Sequence, residues 1–487
     1  MRRADFILVA AFALGGCATT APLAVPVVPV ADEFKHGAAW KAAHPGDHLP
    51  RGTWWRDFGD ASLDELIARA DAGAPSLAAA IARLDRATAQ ARVASAGRYP
   101  SLDARASTIR ENDRAAGDVG TTVVGAALSY EIDLWGRARS EAMAGEAEAA
   151  AANADMESVR LTLHAAIAES YLVLRALDAE EALLRRTAEA YLRADRLIRT
   201  RYEGGIASGV DVSRSAAQLA RVRARVEILG GDRAVVENAI AVLIGATPSS
   251  FTIQPSAELP AFPAVTPGLP SSLLERRADV ARAERRLEAA NARIGAARAA
   301  LFPILTLGLD GGVQAGGTAL LGAPATFWAL GPLVAVLDLF DGGRRRAELD
   351  IREAEYRELA AGYRHTVLDA FRDVEDSLGR AAALSRQEQE LELAAEAAAR
   401  SEELALDRYR DGAADYLEVI TAQTAALEAE QAYLSVQFQR RREAVMLVRA
   451  LGGGWHDAGL PHQDPVASGT RRRKSVPALQ LVGKQRR

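Results

Sequence analysis

Arg201-Tyr202-Glu203-Gly204-Gly205 and Arg408-Tyr409-Arg410-Asp411-Gly412 are two versions of one helix ending, set 207 residues apart. Each runs from a basic residue and a tyrosine into glycine, the residue that supplies the positive φ of a helix stop. The same spacing relates Val210-Asp211-Val212 to Leu417-Glu418-Val419, and Leu243-Ile244-Gly245 to Ala450-Leu451-Gly452. Upstream, Tyr99-Pro100 answers Phe302-Pro303 at 203, and Ile132-Asp133-Leu134-Trp135 answers Leu337-Asp338-Leu339-Phe340 at 205. Ala-rich helices can mimic one such pair by chance, but five in order with drifting offsets indicate a duplicated unit with small insertions. The repeats are placed at 62–245 and 271–455. Residues 246–270 carry Pro248, Pro255, Pro260, Pro263, Pro267 and Pro270, a density that blocks helix and central strand and reads as an extended linker.

Between the landmarks the chain is helical. No proline occurs from Arg137 to Tyr202. Leu163, Leu177, Leu184, Tyr191 and Ile198 share one heptad position, with Ser170 in the gap and Ile167 and Leu174 on a second seam, a coiled-coil pattern. This segment is ~100 Å long at 1.5 Å per residue, and Gly343 to Tyr409 repeats it. Leu63 to Arg98, with a break expected at Pro75, and Val210 to Leu243 are shorter helices, together about as long as one rod. A compact globular domain has little use for such a rod; a structure crossing a wide compartment does.

Two regions change period. Leu102, Ala104, Ala106 and Thr108 alternate with Asp103, Arg105 and Ser107, then Val124 to Ile132 alternates again after a polar loop at 111–120. Leu305, Leu307 and Leu309 repeat the pattern, with a return strand expected over Trp328 to Val336, against which Pro332 argues. The strand pairs lie within 100–134 and 303–340. Each strand has about ten residues, the length of a tilted membrane-spanning strand. Four strands cannot close a membrane barrel, for which about eight is the lower bound, so several chains would have to share one.

The ends are different in kind. Met1, Arg2 and Arg3 precede an apolar run from Phe6 to Leu14, then Gly15-Gly16-Cys17, which reads as a secretory signal over 1–16, too short to span a membrane. Cys17 is the sole cysteine, which excludes disulfides within the chain and multi-cysteine metal sites. Residues 456–487 read as a basic disordered tail, with Arg471, Arg472, Arg473, Lys474, Lys484, Arg486 and Arg487. Across 487 residues the net charge is -5, against nucleic-acid binding by the whole chain.

Catalytic patterns are missing. The seven histidines (His36, His44, His48, His164, His365, His456, His462) form no HExxH motif. Pro45 and Gly46 break any helix that would align His44 with His48. There is no phosphate loop and no serine in a nucleophile-elbow context, so neither an enzyme nor a cofactor or metal site is expected.

Pro270-Ser271-Ser272-Leu273-Leu274-Glu275-Arg276-Arg277-Ala278-Asp279-Val280, continuing through Ala283-Glu284-Arg285-Arg286-Leu287 to Leu301-Phe302-Pro303, resembles the signature of outer-membrane efflux lipoproteins of the NodT type, within the TolC family. Leu339-Phe340-Asp341-Gly342-Gly343-Arg344, Ala450-Leu451-Gly452-Gly453-Gly454-Trp455 and Trp54-Trp55-Arg56-Asp57-Phe58-Gly59-Asp60 match as well, so the resemblance spans about 17–455. Ala278 departs from the usual proline. The resemblance implies a mainly α fold with a small β part: a homotrimer whose long coiled-coil helices form an α-barrel and whose strands, four per chain, build a shared 12-stranded transmembrane β-barrel. Cys17 resembles a lipobox cysteine, which implies a lipidated, palmitate-bearing N-terminus, an extended segment over 17–61 and an outer-membrane location, Ala18 favouring the outer membrane.

By the same resemblance the chain is a passive exit duct for small molecules, working with a periplasmic adaptor and an inner-membrane RND-type transporter and needing no cofactor. The alternatives are a type I protein-secretion channel and a structural coiled-coil lipoprotein. Glu418 stands where TolC-like proteins carry an aperture acid, and Thr421 where a second acid is common. Asp211 and Tyr409 match positions that tie closed tips together, while Ala414 replaces an arginine of one subgroup. Gly205, Gly209 and Gly412 are the tip turns, candidates for adaptor docking.

Overall fold

In the computed structural model, which describes residues 52–113, 117–263, 277–316 and 325–453, Asp60 opens the first α-helix. Its carboxylate accepts from the Ser62 and Leu63 amides, filling two of the orphan donors of a helix start. That helix, α1, spans Ala61–Gly73, and Pro75 sits at the start of α2, Pro75–Ala96, where its missing N–H costs nothing. The chain then forms β1 (Ser101–Asp113) and β2 (Gly117–Glu131), the long helix α3 (Arg137–Glu203) and α4 (Gly209–Leu243). The second repeat gives α5 (Ala278–Ala299), β3 (Ile304–Gly316), β4 (Ala325–Val336), α6 (Arg344–Arg410) and α7 (Tyr416–Ala450). Both long helices have 67 residues, and so a length of ~100 Å. The signal segment, Cys17, the tail at 456–487 and the signature residues 270–276 lie outside the described residues, as do His36, His44, His48, His456 and His462.

The sheet has the order β1-β2-β3-β4, antiparallel throughout. The strands are longer than their alternation suggested. Asn112 pairs with Asp118 and Asp113 with Gly117, so the first hairpin's ladder runs into the polar segment expected to loop, because ladder bonds need only backbone. The return strand begins at Ala325, before Trp328, and Pro332 is accommodated where the register shifts between Leu307 and Leu309, on an edge strand. Leu102, Leu128, Leu309 and Leu330 fall opposite one another in one row across all four strands. On the alternate face Arg105 reaches over β2 to Asp310 at 2.7 Å. Gly125 and Gly312 let β2 and β3 approach closely: a Cβ at Gly125 would lie 2.5 Å from the Gly311 carbonyl oxygen.

The main core sits halfway along α3. Tyr171, Leu172 and Leu174 pack with Trp54, Phe58, Leu63 and Ile67 ahead of and within α1, with Ile240 near the end of α4, and with Phe251 and Ile253 after it. The heptad seam is buried at Leu163, Ile167, Leu174, Leu184, Tyr191 and Ile198, with Leu177 partly so. Tyr171 fills the core next to the polar Ser170. One polar chain threads this core. Tyr171 donates to Asp60 at 2.6 Å and Arg175 donates to Tyr171 at 2.8 Å. Arg175 and Arg233 both hold Asp178, at 3.0 and 2.6 Å. The same two guanidiniums donate to the Gln254 and Ile253 carbonyls, which ties the segment after α4 to the rods. Every charge in this chain has a partner, the condition under which burying charge is tolerable.

The two long helices differ in burial. Twenty-five residues of α3 are buried, but seven of α6, which also exposes Ile351, Leu368, Leu393 and Leu404. Among the described residues no helix is long and apolar enough to cross a membrane.

Candidate gate at the helical tip

Both quoted helix endings close in the same way. The Ile206 amide donates back to the Arg201 carbonyl and Gly205 to Tyr202; Ala413 donates to Arg408 and Gly412 to Tyr409. This is the Schellman pairing, and it needs a left-handed residue at Gly205 (φ 76°) and Gly412 (φ 78°). Gly209 is different. It is the first residue of α4 with ordinary φ, and a Cβ there would meet only Tyr202 at 3.7 Å, so the backbone does not require glycine.

The acids at the following helix starts are used differently. Ser208 and Asp211 form a capping box: the Asp211 amide donates to Ser208 Oγ, and Asp211 Oδ2 accepts from the Ser208 amide and hydroxyl. In the second repeat the cap is Asp415, which accepts from the Glu418 amide at 3.0 Å but leaves the Glu418 carboxylate free of the cap. Glu418 instead accepts from Arg408 Nη1 at 2.8 Å. Thr421 donates to the Leu417 carbonyl one turn back. Glu418 and Thr421 line one groove of ≈ 870 Å³ between α6 and α7, with Arg408, Leu404 and Leu417. Asp211 and Tyr409 do not line it. Asp211 caps its own helix, and Tyr409 is buried with Ile198, Tyr416 and Val419.

Beside this apolar cluster, the polar contact between repeats at the tip runs through Arg201. Its guanidinium donates to the Tyr409 carbonyl at 2.9 Å and to the Arg410 carbonyl at 2.7 Å, and lies 4.7 Å from the Tyr409 ring centre. The Tyr409 ring in turn packs on Tyr416 at 5.6 Å. A cation placed on the last carbonyls of α6 also meets the negative end of the helix dipole. Burial holds the Tyr416 hydroxyl well above its ordinary value, with neighbouring Tyr409 and Asp195 adding to the shift. Burial also pushes Asp195 up, but hydrogen bonds from Arg199 (2.7 Å) and Ser215 (2.5 Å) outweigh it and hold its carboxyl below the usual range. No sequence motif marks Arg201, Arg408 or Tyr416. Both arginines stand inside the quoted repeat, but the targets of Arg201, backbone carbonyls of the other repeat, leave no mark in sequence.

Among the described residues no cluster of three or more His, Cys, Asp or Glu could hold a metal ion. The tip thus brings together a charged pair, Arg408 with Glu418, two glycine turns and a polar contact between the repeats.

The profile of the family described as Outer membrane efflux protein matches residues 66–246 and 269–453. Each matched stretch contains one strand hairpin and one 67-residue helix. Outer membrane protein OprJ of Pseudomonas aeruginosa is 33% identical over 92% of this chain and 95% of its own. Toluene efflux pump outer membrane protein TtgC of Pseudomonas putida is 32% identical over 93% and 95%. Among solved structures, the outer-membrane channel OprN is 29% identical, covers 88% of this chain and 99% of its own, and superposes with a TM-score of 0.79. TtgC is the outer membrane protein of a toluene efflux pump and OprN an outer-membrane channel; neither is an enzyme.

Proposed function

The chain belongs to the outer membrane efflux protein family, and on that premise we propose that it is the exit duct of a tripartite pump that carries small molecules out of the cell. The observation that carries this reading is the four-stranded sheet with two open edges and one leucine row, joined to a 67-residue helix that stays mostly exposed in the single chain. Open edges of 12 and 13 residues invite further strands. Three copies give 12 strands, enough to close a barrel whose leucine row meets lipid and whose Arg105–Asp310 face meets water. The exposed apolar residues of α6 gain partners in the same trimer.

In this reading Cys17 carries the lipid that anchors the N-terminus in the outer membrane, after removal of residues 1–16. The helical tip points into the periplasm, where Gly205, Gly209 and Gly412 mark the surface that docks the adaptor, and an inner-membrane transporter supplies the energy. Glu418, repeated three times about the axis, forms an acidic ring that favours cations, with Thr421 below it in the same groove. Asp211 and Tyr409 keep the helix starts and ends in the closed arrangement.

The test is purification of the full-length protein from outer membranes, followed by oligomer analysis and conductance in planar bilayers. Trimers that open in discrete conducting steps support the duct. A monomer, or a trimer that never conducts, refutes it.

A further inference from the structure

The internal repeat contains a template for a contact that the single chain cannot make. At the foot of the sheet, where β2 meets β3, Trp135 stacks on Phe302 with ring centres 4.7 Å apart and planes 19° from parallel. The Trp135 indole donates to the Pro303 carbonyl at 2.8 Å, and the Ile132 amide donates to the Leu305 carbonyl at 2.8 Å, which extends the ladder beyond the strand. The segment leaving one repeat's second strand is thus clamped to the segment entering the other repeat's first strand.

Each of these residues has a counterpart in the other repeat. Phe340 corresponds to Trp135, Leu337 to Ile132, Tyr99 to Phe302 and Leu102 to Leu305. The counterparts lie at the two open edges, Tyr99 just before β1 and Leu102 within it, Leu337 and Phe340 beyond β4. All four are exposed: Phe340 is 91% accessible and Tyr99 70%. One aromatic pair is stacked and its repeat-equivalent pair is bare, because β1 and β4 are at opposite edges of the same sheet. β4 and the β1 of another copy would run antiparallel, the same sense as β2 and β3.

We propose that Phe340 stacks on the partner's Tyr99 at every subunit boundary, closing the barrel foot with the contact that Trp135 and Phe302 make inside the chain. This rests on the trimer reading above and adds its register. β2 and β3 pair Glu131 with Thr306 and Tyr130 with Leu307. Shifting β2 by 205 and β3 by 203 residues puts Val336 opposite the partner's Asp103 and Ala335 opposite the partner's Ala104. These pairs lie between Pro332 and Leu337, on the near side of the bulge in β4. The Leu337 amide then donates to the carbonyl of the partner's Leu102. The indole bond has no equivalent, since Phe340 has no N–H, so stacking and ladder bonds carry the contact.

Paired cysteines in the full-length chain, oxidised in outer membranes, test the register. Directly opposed residues of an antiparallel pair have Cα atoms about 4.5–5.5 Å apart, within reach of a disulfide. Asp103→Cys with Val336→Cys should give covalent dimers and trimers on denaturing gels, while either single substitution, which retains Cys17, should not. Ser107→Cys with Val336→Cys, four residues or about 13 Å out of register, should stay monomeric. If the 107/336 pair links and the 103/336 pair does not, the register is wrong though the trimer stands. If unboiled samples run as trimers yet no pair links, the boundary contact is overturned. If no trimers form at all, the trimer reading itself fails. Phe340→Ala and Tyr99→Ala should each lower the temperature at which trimers dissociate in detergent, the double variant no further than either alone, and Phe340→Tyr should keep it; additive losses would overturn the stack.

Discussion

Arg201→Gln removes the polar tie between repeats at the tip and leaves the apolar cluster around Ile198 in place. Arg201 gives two charge-assisted hydrogen bonds to carbonyls of α6 and one cation–π contact with Tyr409. A hydrogen bond to a charged group contributes about 1.5–3 kcal/mol when well buried; the partly exposed guanidinium places each here near about 1. The ring contact adds about 0.5–1 kcal/mol. The total, about 2–3 kcal/mol, is worth roughly 30- to 150-fold in the equilibrium between tied and released tips. The assay is single-channel recording in planar bilayers, comparing the fraction of time in the high-conductance state. Arg201→Gln should raise that fraction by one to two orders of magnitude. Arg201→Lys should fall between, because a point charge cannot bond two carbonyls as a planar fork does. An unchanged fraction in Arg201→Gln, with trimers intact, would show that the tie does not hold the aperture.

Glu418→Gln should weaken cation selectivity of the closed or half-open pore, read from reversal potentials across a salt gradient; unchanged selectivity would remove Glu418 from the aperture. Gly125→Ala should destabilise the sheet by about 1–3 kcal/mol, since its Cβ would meet backbone at 2.5 Å, whereas Gly308→Ala, with its nearest atom at 3.5 Å, should be tolerated in the same denaturation series. Asp178→Asn leaves Arg175 and Arg233 facing a neutral group and should cost about 3–5 kcal/mol in urea unfolding. Burial pushes His164 below its ordinary value of 6.5, against the raising effect of its hydrogen bond to Asp71 at 2.8 Å. The unfolded chain therefore binds more protons below that value, so the stability from neutral His164 is complete above about pH 6.5 and is lost as pH falls below it. Thermal melts from pH 7 to 5 should show the decline, and His164→Gln should flatten it.

Helix ends and their periodicity were legible because they are local. A Schellman cap is made by five or six consecutive residues, so Arg-Tyr-x-x-Gly reports it directly. Pro75 divides two helices because its ring acts on its own turn. The strands were legible where leucines alternate, and underestimated at 111–120, where pairing continues on backbone bonds that no side-chain pattern announces. The gate candidates were legible as positions, but their partners were not. Asp211 and Glu418 are equivalent in the repeat, yet one closes a capping box and the other meets Arg408. The difference lies in Ser208 against Asp415 at the cap: a hydroxyl can donate back to Asp211, and a carboxylate cannot donate to Glu418.

The sequence by itself determined the duplication, the two ~100 Å rods, the four strands and the glycine turns at the rod ends. These are short-range properties, set by dihedral preference and by the spacing of apolar residues along one element. Only the tertiary structure decided which surfaces remain without partners. It put β1 and β4 at opposite edges of one sheet, stacked Trp135 on Phe302 while leaving Phe340 and Tyr99 bare, and sent Arg201 across to the carbonyls of the other repeat. These contacts join residues far apart in the chain through backbone atoms and ring faces. Residue type leaves no trace of which such atoms meet until the whole chain is packed.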